Sequence, residues 1–537
     1  MKKLSALEPI LFYAFLALLL IPVWSVDFFV TGDGPCHLHN SKILLDWFNE
    51  QNKQFYDPFY YLNTVFNPNL LYNMITVPLL WIFKAGLTEK IYFTVFILGF
   101  GLGFRYLVGG INTNAKYLGS VGLLFCYHNL LMKGFFNNSL SFALLFWVTG
   151  WWYRKRDDAS VPTLLCNAAL ILLLYFSHPM GLVFTMMLIG SLMIGLLVYE
   201  GRNNNWKDAV KIFFTRIKIV LISGLPAFIL FIQYFMGSNM SPDTSAHSFK
   251  GTLDFIFHLY AITILTATED IFSLVTSITC IVLFLLAIFI RIRKKQMQPT
   301  DGLFGYAILV FLCIFFPPSS IAGGLEISYR MAMMPFFAFL FFAATADFPV
   351  WFKIAIQSLA LCIGIGFILI RLPLHQKASD YAKEIDTCDP YINNHSTVFV
   401  LNYDWEGHTP DGKLIADRAG LFSHVDCYLG TNKSLIISDN YEAHFSYFPV
   451  ISRWNTNMYT QTDKDGINFD NRPPRADILN YNKRTGENID YVLMLSYKDE
   501  FKDHPFTQEI IAQLEQGYDK VYTSQHERAI LYKRKGL

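Results

Sequence analysis

The sequence predicts a polytopic α-helical membrane protein that ends in a C-terminal α/β domain, and three observations predict it. The 537 residues are 53% hydrophobic and only 16% charged, whereas soluble domains carry about 25% charged residues. Uncharged apolar stretches approaching or exceeding the ~18 residues needed to cross a bilayer recur over the first two thirds of the chain. From about residue 372 the composition turns polar, with 24 acidic and 18 basic residues. The expected organisation is a transmembrane region over 1–371 and a domain over 372–537 that is long enough to hold its own core.

The N-terminus resembles a signal peptide, with Lys2 and Lys3 before an apolar run at 9–24. That run ends Pro22-Val23-Trp24-Ser25 with no small-x-small cleavage site and stays apolar to Val30. An uncleaved first transmembrane helix is therefore expected. Further apolar segments lie near 70–86, 90–109, 116–136, 138–153, 162–177, 179–199, 217–236, 271–290, 302–317, 331–347 and 351–371. Lys and Arg concentrate at 154–156, 202–218 and 291–295. The positive-inside rule puts these loops in the cytoplasm, and the loops at 31–69, 237–270 and 318–329 outside, with the C-terminal part. Parity requires one segment not to cross. The 70–86 segment, with Pro78, Asn73 and Thr76, is read as interfacial or re-entrant; the alternative is 116–136. About eleven spanning helices remain.

In the polar tail, 375–386 and 506–516 read as helices. Runs at 397–402, 434–438 and 491–495 read as strands, and 520–523 with 529–533 as a hairpin. The stretch 452–490, rich in Asn, Asp, Pro and Arg, reads as a long loop. Of the eight cysteines, Cys126, Cys166, Cys280, Cys313 and Cys362 lie in apolar segments, where cysteine acts as a small hydrophobe. Cys388 and Cys427 either pair outside a reducing compartment or stay as thiols. A net charge of +1 does not suggest nucleic acid as a partner.

The chemistry gathers in four polar clusters on the predicted outer side. The first is Thr31-Gly32-Asp33-Gly34-Pro35-Cys36-His37-Leu38-His39. Proline is tolerated at the first helical position, so a helix is expected from Pro35 to about residue 49, with Asp33 just before it. Unpaired N–H groups at such an end attract an anion such as phosphate. A carboxylate there suits a reaction in which it takes a hydroxyl proton as general base while donors stabilise a leaving phosphate. Two plainer readings stand beside this one. Asp33 can be a helix cap, or Asp33, His37 and His39 can hold a divalent metal; a His-x-His pair, however, points to different faces of a helix. No other cofactor is indicated.

The second cluster runs from Tyr127 and His128 through Lys133, Gly134, Asn137 and Asn138 to Ser139. Polar groups so placed are costly unless they face protein or a water-filled cavity. The third is the Ser177-His178-Pro179 corner, where His178 is a candidate helix cap or site residue. The fourth runs from Pro317-Pro318-Ser319-Ser320 through Glu326 to Arg330. Arg330 can snorkel at the membrane boundary or hold a phosphate through its fork of donors.

This arrangement resembles the polyprenyl-phosphate-sugar-dependent glycosyltransferases of the C-type membrane fold (GT-C). In that family an essential acidic residue follows the first transmembrane helix in an external loop containing interfacial helices. Asp33-Gly34-Pro35-Cys36-His37-Leu38 matches that position, and Lys133-Gly134-Phe135-Phe136-Asn137-Asn138-Ser139-Leu140, Ser177-His178-Pro179 and the helix beginning at Arg330 are similar to segments of bacterial members. Asn440-Tyr441-Glu442-Ala443 and Tyr447-Phe448-Pro449-Val450 resemble tails carried by such proteins. The Trp-Trp-Asp motif of oligosaccharyltransferases is absent, since Trp151-Trp152 is followed by Tyr153, and the acidic pair of protein mannosyltransferases is absent at Asp33.

The bias toward Asn, Lys, Phe and Tyr points to a bacterial inner membrane, the charge distribution to a cytoplasmic N-terminus and an extracytoplasmic tail, and the resemblance implies an enzyme. It would invert the anomeric carbon while moving a sugar from a polyprenyl-phosphate donor to a glycan, lipid or protein acceptor. Asp33 would be the catalytic base or a metal ligand. His37, His39, Lys133, Asn137, His178, Glu326 and Arg330 would bind substrate, with Arg330 and Lys133 on the donor phosphate. Aromatic residues of 55–66 would stack on sugar rings. The rival readings are a lipid-linked glycan flippase or small-molecule transporter, and an envelope scaffold. Transporters place ionisable groups near the bilayer midplane, whereas here the polar groups gather at one boundary.

Overall fold

The computed structural model describes residues 7–237, 249–315, 327–466 and 471–537. Among the described residues, six helices are long and apolar enough to cross a membrane: Leu7–Trp24, Ala85–Ile111, Pro179–Asn203, Trp206–Gly237, Ala267–Lys294 and Val350–Tyr391. The higher count read from the sequence includes shorter helices, among them Val161–Ser177 and Gly302–Ile314. The apolar stretch 116–136 is broken into Leu118–Leu123 and Asn129–Lys133. The segment with Pro78 forms the helix Leu71–Ile82. Its 12 residues span about 18 Å, too short for the ~30 Å hydrocarbon core, and it lies against the Gly34–Asp46 helix, where Thr76 and Asn73 both meet the Ser41 hydroxyl.

The bundle has two chemically distinct ends. At one, Arg216 joins Asp157 and Glu200, Arg154 donates to the Tyr106 carbonyl, and Lys294 pairs with Asp347. These groups belong to the three basic loops and their neighbours. The polar clusters around Asp33, Asn137 and His178 gather at the opposite end, where the tail sits. The helix Val350–Asp386 connects the two ends without a break at residue 372 and tolerates Pro373 in its interior. Its 37 residues measure about 55 Å, enough to cross a bilayer and carry the chain into the tail.

Seven strands are described: β1 (Tyr60–Leu62), β2 (Ser396–Asn402), β3 (Leu435–Ile437), β4 (Val450–Ser452), β5 (Tyr491–Leu495), β6 (Tyr518–Thr523) and β7 (Ala529–Arg534). Five form a sheet in the order β3-β2-β5-β7-β6, parallel across β3-β2-β5 and antiparallel beyond. Because strand side chains alternate between faces, the sheet splits its residues between two cores. Val398, Val400, Leu493 and Leu531 join the core that runs on into the bundle. Phe399, Leu401, Val492 and Ile530 join a second core built with Ile43, Tyr56, Phe59 and Tyr60 of the first loop. Both faces are covered, which is why β2 and β5 are buried along their whole length. β1 pairs antiparallel with β4, so the first loop and the tail also share a small sheet.

The tail is fixed to the bundle by polar contacts as well. Tyr428 donates to Glu89 at 3.0 Å, Arg418 pairs with Asp270, and Asp27 with Lys383. The stretch read as a loop, 452–490, carries the short helices Met458–Gln461 and Tyr481–Thr485 in its described part. Cys388 and Cys427 do not pair. Both are buried thiols, and the neighbour of Cys427 is Cys36.

Candidate functional site

The polar end is built around Asp33. The turn before the Gly34–Asp46 helix is held by the adjacent hairpin, with Gly32 N–H donating to the Met132 carbonyl at 2.8 Å and Asp33 N–H to the Lys133 carbonyl at 2.9 Å. Gly134, with φ +95°, permits this approach; a Cβ there would stand 2.7 Å from Asp33. Pro35 fills the first turn as its lack of an N–H allows. Asp33 occupies the N-cap position, but its side chain accepts no hydrogen bond from the helix. The carboxylate is therefore not engaged in capping. It faces Tyr441 and the imidazole of His424, whose Nε2 lies 3.9 Å away.

Two histidines flank that carboxylate, each held by an acid from the tail. His37, one turn into the helix, pairs through Nδ1 with Glu442, which also accepts from Asn40 at 2.8 Å. His424 donates through Nδ1 to Asp439 at 3.0 Å and stacks on Tyr441 with ring centroids 4.4 Å apart. Burial opposes protonation of His424, but the charges of Asp439, Asp33 and Asp426 overcome it and raise its pKa to about 10. Burial likewise opposes protonation of His37, and Glu442 and then Asp33 outweigh it, so its pKa also rises. Asp33 itself is pushed up chiefly by burial, against the pull of His424, Tyr441 and His37. Asp426, fully buried, is driven well above the usual carboxylate range by burial and by Asp439, whose side chain it meets. The result is an ionisable base between two imidazolium groups.

Asp33 and His37 open into a cavity of about 720 Å³. Its lining combines polar Asn137, Asn138, His178, Arg330, Tyr441 and Tyr447 with apolar Val183, Phe184, Met187, Phe231 and Leu312 from the apolar helices. His178 and Arg330 meet in this lining. His178 Nδ1 accepts the Met180 N–H at 3.2 Å as the N-cap of Pro179–Asn203, leaving Nε2 for a second contact. That Nε2 lies 3.3 Å from the Arg330 guanidinium. Arg330, which can only donate, thus stands beside the N-terminus of a 25-residue helix, an arrangement suited to an anion. A second hollow of about 330 Å³ lies on the far side of His424, lined by Asn402, Trp405, Asp439 and Arg472 among others.

The other residues singled out in the sequence fall in three places. Asn137 lines the cavity but also braces its wall, accepting from Tyr72 N–H and donating to the Asn69 carbonyl. Lys133 supplies the carbonyl under Asp33, and its ammonium lies 5.6 Å from the Tyr329 ring, outside the cavity lining. His39 does not face the cavity. Its ring, two residues on from His37, turns to the tail, where Nε2 meets the Leu435 carbonyl at 3.1 Å, and burial lowers its pKa to about 4. Asp33, His37 and His39 accordingly do not converge on one point, and no cluster of three or more His, Cys, Asp or Glu suited to a metal is present among the described residues. Glu326 lies outside the described residues.

Sequence reasoning missed His424, Asp439 and Asp426. They lie in tail segments without periodic pattern, and the only signal nearby was the Asn440-Tyr441-Glu442 run. Comparison with protein-family models and with curated proteins finds no match for this chain.

Proposed function

We propose that the protein is an integral-membrane glycosyltransferase that moves a sugar from a polyprenyl-phosphate donor to a hydroxyl acceptor, with Asp33 as general base. The observation that carries this reading is a cavity lined both by apolar side chains of long apolar helices and by a carboxylate not engaged in capping together with the Arg330 guanidinium. A polyprenyl chain fits the first and a sugar phosphate the second.

The reaction balances on these residues. Asp33 accepts the proton of the acceptor hydroxyl, the oxygen forms its bond to the anomeric carbon, and the bond from that carbon to the phosphate oxygen breaks. The Arg330 guanidinium, beside the N-terminus of the Pro179–Asn203 helix, stabilises the departing phosphate. His37 and His424 pull the Asp33 pKa down against its burial. The hollow beyond His424, with the indole of Trp405, is the acceptor's approach.

By the positive-inside rule the basic end lies in the cytoplasm. The site and tail then face the opposite side of a bacterial inner membrane, where lipid-linked sugars are displayed. The test is a glycan and glycolipid mass profile of cells lacking the gene, complemented with wild type or Asp33→Asn. Wild type restores a missing sugar and Asp33→Asn does not. Equal rescue by both would overturn the reading and favour a transporter or scaffold.

A further inference from the structure

Two thiols meet beside the candidate site. Cys36 Sγ lies 3.1 Å from Cys427 Sγ, and both sulfurs approach the Asp439 carbonyl, at 3.5 and 3.9 Å. Neither side chain is accessible to solvent. The separation exceeds a disulfide bond by only about 1 Å, so a small change in side-chain torsion would close it.

The placement repeats a pattern. Cys36 stands three residues after Asp33, in the first turn of the Gly34–Asp46 helix. Cys427 stands three residues after His424, in the first turn of the 3-10 helix Val425–Thr431. The same two turns that bring the sulfurs together bring His424 to Asp33. A bond between the sulfurs would therefore fix the pair of groups at the centre of the site.

We propose that Cys36 and Cys427 are the site of a disulfide that staples the first loop to the tail and sets the spacing of Asp33 and His424. The inference rests on the outward orientation of the tail proposed above, since disulfides persist in oxidising compartments. The chemistry is thiol–disulfide exchange: the Cys36–Cys427 bond forms, both thiol protons and two electrons pass to a protein or small-molecule disulfide of that compartment, and that disulfide is reduced to two thiols. Exchange requires a thiolate. Burial pushes the Cys427 thiol up to about 12 and Cys36 well above its ordinary range in the closed site. The bond accordingly forms as the tail docks, before the two turns are sealed.

The experiment is mass spectrometry of the full-length protein, quenched in acid in intact cells, alkylated with N-ethylmaleimide under denaturing conditions and digested. The expected product is one cross-linked peptide pair containing Cys36 and Cys427, two hydrogens lighter than the separate peptides and split by reductant, with Cys388 alkylated. The pair persists in Cys388→Ser and is lost in Cys36→Ala. Recovery of Cys36 and Cys427 as separately alkylated peptides overturns the proposal, as does a bond between Cys388 and Cys427. A parallel Lys502→Cys variant, at an exposed tail position, is labelled in intact cells with an impermeant maleimide. Separate alkylation with the introduced thiol labelled overturns the disulfide alone, while separate alkylation with that thiol protected overturns the orientation as well. Neither result decides the transferase reading, which stands on Asp33→Asn.

Discussion

The Nε2 of His424 lies 3.9 Å from the Asp33 carboxylate, although the two residues come from distant parts of the chain. The tail thus contributes directly to the candidate site. His424 has a pKa raised to about 10 by its three acidic neighbours against the cost of burial. Its cationic form pulls the Asp33 pKa down while burial raises it. Replacing it with Gln removes that pull, so the acidic limb of the activity profile is expected to move to higher pH. A limb that stays put would show that His424 does not act on Asp33.

The same residue links pH to stability. Its folded pKa exceeds the unfolded value of about 6.5, so its contribution is complete below that value and is lost as pH rises through about 10. Wild type is expected to melt above His424→Gln at pH 6, with the gap closing towards pH 10. Thermal unfolding in detergent across that range checks it.

Gly134 is held at φ +95° against Asp33. Gly134→Ala costs about 1–2 kcal/mol for the left-handed backbone alone, and the added Cβ must displace Asp33. The variant is expected to melt lower and to lose more activity than that destabilisation accounts for. A fall in melting temperature with activity per folded molecule intact would contradict the placement of Asp33.

The Arg330 guanidinium lies 3.3 Å from His178 Nε2 in the cavity lining. In the proposed transferase, Arg330→Ala is expected to raise KM for the lipid-phosphate donor at least tenfold, and Arg330→Lys to recover part of it, because Lys keeps the charge but not the fork. Steady-state kinetics with varied donor checks this. Loss confined to the acceptor's KM would move Arg330 to the other substrate.

Arg371 and Glu269 form a buried pair where the Val350–Asp386 helix approaches the tail. Glu269 also accepts the N–H groups of Ile264, Leu265 and Thr266, and Arg371 donates to the Ile262 carbonyl. Removing one partner leaves a buried charge, so Arg371→Met is expected to cost about 3–5 kcal/mol. Denaturation monitored by tail fluorescence measures it.

Local signals made part of this legible in the sequence. Gly34-Pro35 after an apolar run marked the helix start and Asp33 before it, and short apolar runs marked β2, β3 and β5. The i, i+2 spacing of His37 and His39 foretold opposite faces, which the structure realises with Glu442 on one side and Leu435 on the other. The polar turn in composition at 372 hid a continuous helix, because composition does not register that an apolar helix runs on into a polar one. His424, Asp439 and Cys427 were not legible as partners of Asp33 and Cys36, because such pairings depend on how the tail folds back.

The transferase reading meets its sharpest test in native mass spectrometry of wild type and Asp33→Asn purified in parallel from the same membranes. Asp33→Asn is expected to retain a lipid phosphate still carrying its sugar, and wild type to carry the lipid phosphate without it. Adding Arg330→Ala to Asp33→Asn is expected to remove the lipid. No phosphorylated lipid on either protein, or the same glycosylated lipid on both, would contradict the role given to Asp33.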